Sequence, residues 1–252
     1  MAYGHGAGMC LYDQGDVVHP VGLDVFDARF RVRHHLDLPG IASRARVAPD
    51  GRHGAATVFV SGDSYASASF STRTYFFDLA RGRRTADLEK FRVTRNGAVV
   101  DASDRNYWGV TFAADSNTFY ATLGTGGRTF LIRGNLRART AKTIHPDVEC
   151  PSLSPDGTRV AYKLRRTGDA LGSASWRLHV LDLRSGRDVA LAERRNVDDQ
   201  VIWVDNATVG YAIPHPAVNV DADDILTVPA DGGGRPAVMI EAAASPVMVP
   251  AA

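Results

Sequence analysis

The sequence predicts an all-β fold, a β-propeller of four-stranded blades. Three observations carry that expectation: a tight hairpin that recurs along the chain, a period of about 50 residues, and strands that are apolar on both faces. The hairpin is plainest in PSLSPDGTRVAYKLRR, residues 151–166. Pro155 presets φ, Asp156 offers a carboxylate to the backbone ahead of it, and Gly157 accepts a positive φ. ARVAPDGRHGAATVFV repeats it at 45–60, with Pro49, Asp50 and Gly51. VTFAADSNTFYATL repeats it at 110–123, where Asn117 is expected in the left-handed position, and VIWVDNATVGYAI at 201–213 with Asp205 and Asn206.

A second landmark follows each hairpin, an apolar strand entering a polar turn, as in TYFFDLARGRRTADL and LHVLDLRSGRDVALA. Aligning Asp27, Asp78, Gly134, Asp182 and Pro229 gives spacings of 51, 56, 48 and 47 residues. Strands such as TYFFDL lack a clean apolar–polar alternation, as expected where a neighbouring blade covers each face. A parallel α/β sheet would also bury both faces, but it needs helices of ten or more residues between strands. TADLEKFRV, 85–93, is the one helix-like candidate, too little for five units.

The chain is expected to be a single domain over 1–252, with blades at about 1–40, 41–91, 92–146, 147–195 and 196–243. The first unit looks short of an innermost strand, because AYGHGAG is glycine-rich. Either the closing strand at 244–250, with Val247, Met248 and Val249, completes a five-bladed ring, or the five modules are an open arc of a six-bladed parent.

Composition excludes several functions. The 29 basic and 28 acidic residues leave a formal net charge of +1, without the basic excess of a nucleic-acid footprint. No run approaches a transmembrane helix, and MAYGHGAGMC lacks the basic and apolar regions of a signal peptide. Two cysteines, Cys10 and Cys150, are too few for a zinc cluster; two free thiols are expected, with a single bridge the alternative.

The pattern LSPDGTRVAYK followed by WRLHVLDLRSG, 153–186, resembles the TolB-like propellers. VECPSLSPDGTRVAYK, NVDDQVIW and WGVTFAADSNTFYATLGTGGRTFLIRG are similar to actinobacterial TolB-like translocation proteins. The resemblance implies a non-catalytic scaffold that binds a protein or peptide, extracytoplasmic and membrane-associated at the cell envelope. It leaves function open, because related propellers also serve as peptidase gates and lyases. Relatives of this type have six blades and an N-terminal membrane anchor, which this sequence does not display.

In a propeller the links between blades share one face with the loops joining second and third strands, and the Asp-Gly turns lie on the other. Candidate ligand-binding residues are therefore those of the links: Ser43 and Arg44; Asn106, Tyr107 and Trp108; Asp147 and Glu149; Asp198, Asp199 and Gln200. Tyr107 and Trp108 are expected as apolar anchors and the carboxylates as a negative mouth that attracts cations or basic peptides. Adjacent Asp198 and Asp199 point oppositely in an extended link, so one is expected to cap backbone N–H groups and the other to face the opening. The loop SGDSYASASFSTRT, 61–74, adds Tyr65 on an adaptable, hydroxyl-rich surface.

No catalytic residue and no cofactor are expected. Asp221, Asp223 and Asp224 have calcium-like density without the glycine and terminal glutamate of an EF-hand loop. The eight histidines form no zinc motif, no Gly-x-Ser-x-Gly elbow occurs, and GTGGRT at 124–129 lacks the lysine of a phosphate loop. The alternative to a scaffold is a propeller lyase or hydrolase acting on an acidic or sugar-like substrate at the mouth. A protein or peptide partner and a monomeric chain are expected.

Overall fold

The computed structural model describes residues 2–15, 21–62, 65, 69–166, 174–216 and 222–243. It is an all-β propeller of five sheets taken up in chain order, antiparallel except for one strand pair in the third. The first blade is β1 (Ala2–Gly4), β2 (Ala7–Asp13), β3 (Val21–Asp27) and β4 (Val32–Leu38). The second is β5 (Ile41–Val47), β6 (His53–Ser61), β7 (Ser71–Asp78) and β8 (Arg83–Asp87). The third is built on β11 (Asn106–Phe112), β12 (Thr118–Thr125), β13 (Arg128–Asn135) and β14 (Thr140–Pro146), and is widened by β9 (Arg92–Arg95) and β10 (Ala98–Val99). The fourth is β15 (Glu149–Leu153), β16 (Arg159–Arg165), β17 (Trp176–Asp182) and β18 (Asp188–Ala190). The fifth is β19 (Ile202–Trp203), β20 (Thr208–Pro214), β21 (Asp223–Pro229) and β22 (Ala237–Ile240).

Three local expectations are corrected. The first unit does have an innermost strand: Ala2, Tyr3 and Gly4 pair with Met9, Gly8 and Ala7 of β2. Its glycines serve packing and turning, since a Cβ on Gly4 would strike the Ala48 carbonyl and Gly6 turns at φ +79°. The 85–93 segment yields only a single 3-10 turn, Leu88–Lys90, before β9 begins. The third blade has six strands because β9 and β10 form a hairpin whose β9 pairs in parallel with the outer β14. The signal was in the sequence: Asn96-Gly97, both at positive φ, is the dipeptide of a two-residue hairpin.

The Asp turns explain why the hairpin repeats. In each, a backbone N–H closes the turn, Gly51 to Ala48, Ser116 to Ala113 and Gly157 to Ser154. Ser116 (φ +52°), and not Asn117, takes the left-handed position, since Asp115-Ser116 aligns with Asp156-Gly157. The aspartate then collects the next donors: Asp156 Oδ1 accepts from Thr158 N, Thr158 Oγ1 and Ser154 Oγ, and Asp115 from Asn117 N and Thr118 N. Neighbouring turns are also linked, as Asp50 N donates to Ser116 Oγ and Asp156 N to Asn206 Oδ1.

These bonds have a titration consequence. The Ser154 hydroxyl and the Thr158 donors hold the Asp156 carboxyl down at about 2. Burial pulls Asp50 and Asp115 upward, but backbone N–H bonds win and both are lowered. A carboxylate depressed in the folded chain stabilises it above the unfolded value near 4, and that stability is lost as pH falls through the folded value. The urea midpoint is therefore expected to fall between about pH 4 and pH 2, with Asp156→Asn flattening that dependence. An unchanged midpoint across this window would contradict the assignment.

Apolar side chains join the blades in series. Met9, Leu23 and Val25 meet Val58, Tyr75 and Phe77 between the first and second; Phe76 and Leu88 meet Phe91, Phe112 and Phe119 between the second and third. Tyr120 and Leu131 meet Val160 and Tyr162, and Leu178 and Val180 meet Val209 and Tyr211, at the next two junctions. Among the described residues no such cluster joins the fifth blade to the first. The expected closing strand at 244–250 lies outside the described residues.

Candidate functional site

The links between blades converge on an aromatic and ionic hub. Inner strands β5, β11 and β15 each carry a register shift at its start, at Ala42/Arg44, Trp108/Thr111 and Glu149/Ser152. Gly109 (φ +67°) and Cys150 (φ +50°) make two of these bulges and approach so closely that a Cβ on Gly109 would lie 2.8 Å from Cys150 Cα. A bulge re-aims the side chains beside it. Here it turns Trp108 inward with Phe59, Tyr65, Cys150 and Trp176.

That inward turn corrects the expected anchors. Tyr107 and Trp108 are 1% and 2% exposed, so neither is offered to a partner. Tyr107 lies in the core between the second and third blades, and its carbonyl accepts from Thr72 Oγ1 and Thr74 Oγ1. Tyr65 is also buried: its ring stacks on Trp108 at 5.5 Å, and its hydroxyl bonds Ser43 Oγ at 2.6 Å. Burial pushes the Tyr65 hydroxyl and the Cys150 thiol upward in pKa. Asn106 ties two blades, accepting from Thr72 N.

The expected negative mouth is likewise not what these side chains build, because each carboxylate meets a cation from another strand. Asp198 holds Lys163 Nζ at 2.6 Å, Asp199 holds Arg44 at 2.8 Å, Glu149 accepts from Arg165 Nε at 3.0 Å, and Asp147 faces Arg128 at 3.5 Å. Glu149 also accepts from Trp176 Nε1, and Lys163 Nζ stands 4.4 Å from the centre of the Trp176 ring. Burial opposes the Lys163 charge, but the Asp198 carboxylate keeps its pKa raised. Asp199 caps backbone: its oxygens accept from Gln200 N and Ala212 N, while Gln200 Nε2 donates to the Pro151 carbonyl.

Lys163, Arg165, Trp176 and Arg46 escaped the sequence reading. They sit inside strands, and only the register of β16 against β15 and β17 shows that Lys163 and Arg165 face Glu149 and Trp176. Of the aspartates with calcium-like density, Asp224 accepts from Ala242 N and pairs with His215, while Asp221 lies outside the described residues. Among the described residues no three His, Cys, Asp or Glu side chains gather to hold a metal ion. Cys10 and Cys150 are free thiols.

An open cleft of about 1270 Å³ lies between the third and fourth blades. Arg128, Arg165, Arg166, Arg177 and Arg194 line it against only two carboxylates, Asp147 and Glu149. His179 adds an imidazole whose Nδ1 is taken by Asp188 at 3.0 Å. Among the described residues Arg166 and Arg194 make no ion pair and stand exposed. The cleft is therefore a surface of positive charge in a chain that is nearly neutral.

Fold and hub together define a β-propeller with a charge-paired centre. Its fold is similar to that of TolB: TolB from Acinetobacter baumannii superposes with a TM-score of 0.64 over 93% of this chain and 53% of its own, at 14% identity. Kuenenia stuttgartiensis hydrazine synthase matches at 0.54 over 89% of this chain and 63% of its own, at 14% identity. The propeller domain of the Trilobed protease from Pyrococcus furiosus, described as having an open velcro topology, matches at 0.51 over 95% and 69%, at 8% identity. The chain thus spans about half the length of the TolB structure it matches, and the likeness is one of fold. No protein-family model matches the chain, and neither does the sequence of any curated protein. No helix among the described residues is long and apolar enough to cross a membrane.

Proposed function

We propose that this chain is a non-catalytic binding propeller that takes an acidic segment of a protein partner in the cleft between its third and fourth blades. One observation carries the reading: five arginines face two carboxylates there, and Arg166 and Arg194 have their guanidinium groups free of ion pairs among the described residues. Arginine forks match carboxylates in two-point hydrogen bonds, so such a wall selects acidic side chains over neutral ones. The hub supports a binding role over a catalytic one, since Glu149, Asp198 and Asp199 are each tied to a cation, Glu149 at the edge of the cleft itself. The likeness to TolB is consistent with an extracytoplasmic scaffold.

The test is fluorescence anisotropy with a labelled oligoglutamate peptide and an oligolysine control. The acidic peptide is expected to bind and to weaken as salt rises, through screening over about 10 Å at 0.1 M. Arg166→Glu with Arg194→Glu, both at exposed positions, is expected to weaken it by about tenfold or more. Equal binding of oligolysine, or indifference to the charge reversals, would overturn the reading.

A further inference from the structure

The axial interior holds a charge that its protein partners leave unmatched. Arg44 and Arg46 lie two residues apart on β5 and both line a small void with Thr57 and Gln200. Three cations, Arg44, Arg46 and Lys163, stand there with two carboxylates, Asp198 and Asp199, and those two are engaged by Arg44 and Lys163. Arg46 has no carboxylate within ion-pair distance among the described residues. Its Nη2 reaches the Val201 carbonyl across the axis at 3.4 Å, and its Nε is shielded from solvent with no hydrogen-bond partner. Burial and the neighbouring Arg44 charge push the Arg46 pKa down to about 10. Arg46 as a whole is half-buried, but its shielded Nε–H is left without an acceptor, which an anion would supply.

The void supplies part of the room. Its open core measures about 10 Å³, the lower limit for a single water, so a halide, larger than water, enters only as the ends of the Arg44 and Arg46 side chains give way. Other lining atoms are spoken for: Thr57 Oγ1 bonds Thr74 Oγ1 and Gln200 Nε2 donates to Pro151 O. We propose that this void binds one small monovalent anion, a halide ion, held by the Arg46 Nε–H group with the Arg44 guanidinium beside it. One such ion brings the three cations to neutrality and gives the orphaned Nε–H an acceptor. It would sit beside the Arg46–Val201 bond, which links the second blade to the fifth.

The proposal is independent of the acidic-peptide reading, and its test uses bromide and chloride with the full chain. Crystals grown in sodium bromide, measured at the bromine edge, are expected to show an anomalous peak within hydrogen-bonding distance of Arg46 Nε. In solution the unfolding midpoint is expected to be higher in sodium bromide or chloride than in sodium gluconate of equal ionic strength, gluconate being too large for the void. Above saturation the apparent folding constant rises about tenfold per tenfold rise in halide, as for any ligand of the native state alone. Arg46→Met removes that dependence, and Arg46→Gln serves if Arg46→Met does not fold. A void holding water alone without a bromide peak, or midpoints that are the same in halide and gluconate, overturns the proposal.

Discussion

Asp198→Asn is expected to destabilise the chain by about 3 kcal/mol, although Asp198 is itself 41% exposed. The effect comes from its partner. Lys163 is 1% exposed, and without the carboxylate its ammonium keeps no ion-pair partner among the described residues, only the Trp176 and Tyr65 rings at 4.4 and 5.7 Å and the more distant Glu149 charge. Aromatic faces attract a cation but do not replace a charged acceptor at 2.6 Å. The sign with pH follows. In the parent, Lys163 has a raised pKa, so its contribution is complete below the unfolded lysine value and is lost as pH rises through the folded one. In Asp198→Asn burial is opposed only by Cys150 and the Glu149 charge, so the Lys163 pKa falls below the parent's, and the variant's deficit should narrow as pH rises and Lys163 sheds its proton. Adding Lys163→Met should restore much of the loss, because a buried charge without a partner is worse than none. Urea unfolding followed by Trp fluorescence checks all three; a double variant as weak as the single one would refute the coupling.

Gly134→Ala is expected to cost about 2–3 kcal/mol although it adds a single methyl group. Gly134 on β13 pairs with Phe119 on β12, and the Phe119 ring lies over the glycine where a Cβ would stand. The ring cannot step aside. It is fully buried, and its centre lies 5.1 Å from that of Phe76 and 5.9 Å from that of Phe91. Gly8 and Phe26 repeat the device in the first blade, so Gly8→Ala should behave alike but more mildly, since the face beyond Phe26 has no neighbouring blade core among the described residues. Thermal unfolding of both variants measures the difference, and a silent Gly134→Ala would show that the ring is free to shift.

The fold was legible because turn chemistry repeats in sequence: Asp50, Asp115, Asp156 and Asp205 each accept backbone N–H groups two residues ahead. Such bonds are local, so a linear reading finds them. The hub was not legible because its partners are remote: Arg44 and Asp199, or Glu149 and Arg165, meet only once the strands are in register. Four carboxylates in the links read as a negative mouth, while three of the neutralising cations, Arg128, Lys163 and Arg165, sit inside strands where they look like ordinary edge charges. Trp108 misled for a related reason. Its place in a link suggested exposure, but the bulge at Gly109 and the Tyr65 ring together fold it into the interior.

The serial arrangement of the apolar junctions bears on how the molecule breathes. A closed ring opens only when two junctions part at once, whereas a linear stack frays from its ends one unit at a time. Among the described residues the first and fifth blades have an apolar partner on one side only, and polar ties such as Arg44–Asp199 are what bridge the axis. Partial opening should therefore begin at the terminal blades. The third blade, flanked on both sides and edged by its own β9–β10 hairpin, is expected to exchange its amide hydrogens most slowly.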